Sequence, residues 1–155
     1  MLVQKPQWLC NAWKPSIGIT SHYIMRDMSY EELDILRRRA EAFLRNAKRL
    51  LEEGEADLAM FSMEQYCQLI LKYKLLLLRG FYPKTSSLRR LIRTLGEVRP
   101  EVLTLVNDVK NLHYIAKLEE AYVSSRYAPI EYEVEEAKDV YKFIEEVFKP
   151  LVEPI

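Results

Sequence analysis

The stretch KLEEAYVSSRYAP, Lys117 to Pro129, brings what reads as an amphipathic helix to a stop on an arginine and a tyrosine. A guanidinium at Arg126 beside the ring of Tyr127 can grip an anion and stack on its planar part, which is what a nucleotide requires. The same pair also suits a plain helix end, where a cation near the last carbonyls is favourable and Pro129 stops continuation. On residue types alone both readings stay open.

Other chemistry-bearing residues do not assemble in the sequence. His22 and His113 are the two histidines, and neither stands at metal-ligand spacing with the other or with Cys10 and Cys67. Glu119 and Glu120 are adjacent and point in different directions on a helix, so they do not form a paired-carboxylate site. Gly18, Gly54, Gly80 and Gly96 are isolated, and no phosphate-cradling loop is present. No catalytic residue, metal site or cofactor is therefore assigned.

These residues need helices to position them. Ser29 followed by Glu32 reads as a capping box opening helix 1, whose Leu33, Leu36, Ala40, Phe43, Leu44, Ala47, Leu50 and Leu51 form one apolar stripe. Gly54 closes it. Helix 2, about Ala56 to Arg79, is apolar around most of its circumference and is expected at the centre. Gly80 and Pro83 break the pattern. A short third helix carries Leu88, Leu91, Ile92 and Leu95, capped by Thr85 or Ser86 and closed by Gly96. Helix 4 starts at Pro100 and runs to the opening stretch; helix 5 spans about Glu133 to Phe148. No segment alternates as a strand does. The fold expected is an all-α antiparallel, up-and-down bundle of about five helices.

Residues 1–28 differ in texture, with Trp8, Trp13, Pro6, Pro15 and Gly18 and no helical period. They read as an N-terminal extension to a domain over 29–155: a segment absent from the natural product, a disordered arm, or one docked through its tryptophans. They do not resemble a secretory signal. Lys and Arg total 23, as do Asp and Glu, so no global charge announces nucleic acid. The charge is uneven, however, with four basic against ten acidic residues over 118–155. Two distant cysteines suggest no disulfide framework and fit a reducing cytoplasm. The apolar run LILKYKLLLL is interrupted by Lys72 and Lys74 and is too short to span a bilayer, so no membrane partner is expected.

The order of features, from LRRRAEAFLRNAKRLLEEGEADLAMFSMEQYCQLILKYKLLLLRGFYPKTSSLRRLI to the later AYVSSRYAP, resembles the HEPN family over about Ser29 to Phe148. The resemblance implies a homodimeric helical bundle linked to nucleotide binding and toxin–antitoxin systems, often associated with a minimal nucleotidyltransferase. It makes Arg126 and Tyr127, with Lys72, the candidate nucleotide-binding residues. Two departures accompany it. Gln68 stands where the family often has glutamate, and Ser86 where it often has histidine. The ribonucleases of the family carry an arginine followed four to six residues later by a histidine, and no histidine follows Arg126 here. Without an imidazole acid or base, RNA cleavage is not expected. The expected function is nucleotide binding or partnership with a nucleotidyltransferase. The alternatives are a ribonuclease toxin with a degenerate site, or a non-catalytic dimeric interaction module, with RNA as a further partner to test.

Overall fold

A computed structural model describes the backbone of residues 19–154 and the side chains of residues 30–154. Among the described residues every regular element is helical. Ile35–Ile155 forms one compact unit, which holds every side chain discussed below.

Helix α1 spans Ile19–Glu52 and buries Leu36, Ala40, Ala47, Leu50 and Leu51. It begins ten residues before the capping-box motif, so Ser29 lies inside a helix rather than at its start. The reason is local: between Ile19 and Ser29 there is neither proline nor glycine to interrupt the helix. Residues 1–18, which include both tryptophans of the expected extension, lie outside the described residues. After α1 the chain turns at Gly54, whose φ of 79° suits a residue without a Cβ.

Helix α2, Ala56–Arg79, is the central element. Ala59, Met60, Met63, Cys67, Ile70, Leu71 and Leu75 are buried on it, each large side chain contributing ~1.5–3 kcal/mol by leaving water. It stops at Gly80 in the left-handed conformation, whose N–H donates to the Leu76 carbonyl at 3.0 Å. Helix α3, Leu88–Gly96, is capped by Ser87, one residue beyond the expected Thr85 or Ser86. The Ser87 hydroxyl accepts from the Arg90 N–H, and Thr85 Oγ1 in turn accepts from the Ser87 N–H at 3.1 Å. Gly96 closes α3 by close approach, because a Cβ there would overlap the Leu103 side chain.

The expected fourth helix is broken. A 3-10 turn, Pro100–Leu103, leads into the short α4, Thr104–Asn107, and the chain becomes extended at Asp108 before α5, Val109–Tyr127. Asp108 Oδ1 accepts from the N–H groups of Lys110 and Asn111 at 2.9 and 3.3 Å, an N-cap that restarts the helix. Helix α6, Val134–Phe143, opens on a capping box between Glu133 and Glu136. It passes through a π-turn, Ile144–Phe148, into α7, Lys149–Val152, beyond the expected end at Phe148. Pro150 cannot donate to the residue four back, and its ring crowds that carbonyl. A wider turn just before it leaves room.

Helices α2 and α5 pack antiparallel. Phe61 stacks on Tyr122 with centroids 6.5 Å apart, and one turn further in, Glu64 feels the charge of Glu119. Tyr66 packs edge-on against Phe148, and Tyr114 stacks on Phe143 at 4.5 Å, bringing α6 and its continuation against α2 and α5. Two polar contacts pin the C-terminal turn to α2. The Tyr66 hydroxyl donates to Glu153 Oε2 at 2.6 Å, and Lys74 Nζ donates to the Glu153 carbonyl at 2.6 Å.

Candidate functional site

The last turn of α5 carries Arg126 and Tyr127. Arg126 lies over the Tyr122 ring, 4.6 Å from its centroid, on the side of α5 where Tyr122 meets Phe61 of α2. The last turn is closed by the Ala128 N–H donating to the Ser124 carbonyl and Ser125 Oγ donating to the Tyr122 carbonyl. The Arg126 guanidinium also donates hydrogen bonds to Tyr122 and Tyr127, which raises its pKa, Tyr122 being the larger influence. Arg37, Arg49, Arg79 and Arg89 each pair with a glutamate, whereas among the described residues Arg126, like Arg45, Arg90, Arg93 and Arg99, forms no ion pair. Tyr127 is 77% exposed beside it. The loop that follows is tied back at two points. Asp57 Oδ1 accepts from the Tyr132 N–H at 2.7 Å, and the Tyr132 hydroxyl donates to Glu120 at 2.8 Å.

Lys72 is elsewhere. It is half-buried on α2, where Nζ donates to Gln68 Oε1 at 3.0 Å and lies 5.4 Å from the centroid of the Tyr82 ring. Burial lowers its pKa, with the charge of Glu64 working the other way. At 1.5 Å per residue, Lys72 is about 16 Å along α2 from Phe61 and hence from the Arg126 end. The structure brings Arg126 and Tyr127 together and leaves Lys72 about three turns away.

Between these ends lies a polar row that the sequence reading did not assign. Glu64 has no exposure at all, and its two oxygens accept from Gln65 Nε2 at 2.7 Å and Gln68 Nε2 at 2.9 Å. Gln68 then hands its own oxygen to Lys72. Burial is the largest influence on the Glu64 carboxyl and pushes its pKa up to about 7, against the two amide donors and Lys72. Across the seam, Glu119 of α5 accepts from Ser87 Oγ at 3.1 Å and from the Arg89 N–H at 3.0 Å. Arg89 Nε lies 3.1 Å from its other oxygen, a charge contact out of line for a hydrogen bond. A signal was available in the sequence: Glu64, Gln68 and Lys72 recur at i, i+4 and i+8, which stacks them on one face of an otherwise apolar helix.

The family model for the HEPN domain matches residues 33–155. The chain belongs to the HEPN domain family. Neither the curated proteins nor the solved structures gave a match. The HEPN match covers α1 from Leu33 through the C-terminal turn, and so includes both the Arg126 end and the Glu64 row. Among the described residues of this HEPN chain no group of three or more histidine, cysteine or acidic side chains could hold a metal, and no helix is long and apolar enough to cross a membrane. Cys67 is buried, and burial raises its thiol pKa well above the ordinary range.

Proposed function

We propose that this HEPN chain is a non-cleaving, homodimeric module that binds a nucleotide through Arg126 and Tyr127 and works beside a minimal nucleotidyltransferase. The observation that carries the reading is the Arg126 guanidinium: exposed, without a carboxylate partner among the described residues, and backed by Tyr122 with Tyr127 open at its side. A charged fork on an aromatic platform suits a phosphate attached to a planar base. The lack of any histidine after Arg126 supports binding over RNA cleavage. A ligand that also reaches Lys72 must extend about three turns along α2, as a triphosphate nucleotide or a short RNA strand can and a lone phosphate cannot.

Calorimetric titration of ATP and of a short RNA into the wild type, Arg126→Ala and Tyr127→Phe tests this directly. ATP is expected to bind the wild type and to weaken roughly tenfold or more in Arg126→Ala, since a charge-assisted contact is lost. Tyr127→Phe keeps the stacking ring and should retain most of the affinity. No heat of binding from the wild type at millimolar ATP overturns the nucleotide reading. The homodimer rests on a separate observation, the exposed Leu58, Val123 and Ile130 on α2, α5 and the loop after α5. Light scattering at micromolar concentration should give twice the 18.4 kDa of one chain, and a monomer mass removes the dimer from the proposal.

A further inference from the structure

Glu64 occupies a position of complete burial on the central helix. Its surroundings are built for a carboxylate in one respect and against it in another. Two amide N–H groups, from Gln65 and Gln68, reach its oxygens. No cation does. Lys72, the basic group acting on it from its own helix, spends Nζ on Gln68. The Cys67 thiol on the same helix is buried and held in its neutral form. From α5 the group facing it is Glu119, of the same charge. Glu119 cannot easily turn away, being held by Ser87 Oγ and the backbone and side chain of Arg89 on α3.

We propose that Glu64 is a proton-operated latch on the α2–α5 seam: protonated, it lets the two helices close over it; ionised, it puts a fully buried charge with no ion-pair partner among the described residues into the seam and loosens it. The latch is independent of the nucleotide reading, because it rests on Glu64, Gln65, Gln68, Lys72 and Glu119 and not on Arg126.

The direction of the pH dependence follows from the raised carboxyl. A group whose folded pKa lies near 7 and whose ordinary value is 4.5 leaves stability intact at acid pH. Stability then falls as pH rises from about 4.5 to about 7 and levels off above that. Lys72, whose pKa is lowered by burial, acts in the opposite sense but only toward alkaline pH. Glu136, lowered by its hydrogen bond to the Glu133 backbone, acts only below the usual carboxylate range.

The test follows the Glu64 carboxyl by carbon NMR in the full-length wild type, alongside urea unfolding across the same pH range and amide exchange on α2 and α5. The carboxyl should titrate near pH 7, and the urea midpoint should fall between about pH 4.5 and 7. Exchange on α2 and α5, corrected for its intrinsic pH dependence, should speed up between about pH 4.5 and 7 and level off above. In Glu64→Gln the fall in urea midpoint should vanish. Glu119→Gln should move the Glu64 titration to lower pH, and Lys72→Met to higher pH. A Glu64 carboxyl that titrates in the ordinary range near 4.5 in the wild type overturns the latch, as does one indifferent to Glu119→Gln.

Discussion

The two ends of the α2–α5 seam handle charge in opposite ways. At the α5 end, Arg126 is in water, cushioned on Tyr122, and its environment asks almost nothing of the fold. In the middle, Glu64 is sealed from water, and every polar atom near it is committed to another. Exposed charge is cheap to keep and free to meet a ligand, whereas buried charge is held only by its partners and strains the fold when they fail. The lesson is that perturbation should separate the two regions cleanly: changes at Arg126 should register in binding, and changes around Glu64 in stability.

The largest expected effect is in the buried row. Gln68→Leu removes one of two donors to a carboxyl with no access to water and also strips Lys72 of its acceptor. Urea unfolding at pH 8 should show a loss of ~1–3 kcal/mol, shrinking toward pH 5 where Glu64 is protonated. An equal loss at both pH values would mean that packing rather than charge is at stake. A smaller effect is expected at the helix break between the regions' supporting elements. Asp108→Ala leaves the N–H groups of Lys110 and Asn111 without their acceptor and should cost ~1 kcal/mol, with Asp108→Asn recovering most of it. The smallest stability effect belongs to Arg126→Ala, whose melting temperature should stay close to that of the wild type while ATP affinity falls. A large drop in melting temperature there would erase the contrast between the two ends.

Much of the bundle was legible from spacing. The apolar circumference of α2 marked it as central, Gly54 and Gly80 marked the turns around it, and the glutamates at the start of α6 marked a helix N-terminus. What escaped was decided by a few residues with competing signals. Ser29 and Glu32 have the right spacing for a helix start, but nothing upstream of them stops an existing helix. Asp108 lies in a run whose apolar period continues on both sides, so one N-cap hydrogen-bond pattern outweighed the periodicity. Glu64 was hidden because a single acid in an apolar helix gives no sign of which way it faces until its neighbours at 65, 68 and 119 are placed. The helix end at Arg126 and Tyr127 was visible because a proline and an arginine-tyrosine pair coincide there.

The π-turn at Ile144–Phe148 fixes the angular phase of the chain's last residues. Its closing bond, from the Lys149 N–H to the Ile144 carbonyl, spans one residue more than an α-helical bond. Each residue advances an α-helix by about 100°, so removing one residue from this turn would swing everything beyond it by roughly that angle. Val152 would leave the core, and the carboxylate of Glu153 would rotate off the Tyr66 hydroxyl it now meets at 2.6 Å. The extra residue thus serves as a phase shifter, matching the screw of the final helix to the position of a tyrosine far away in sequence.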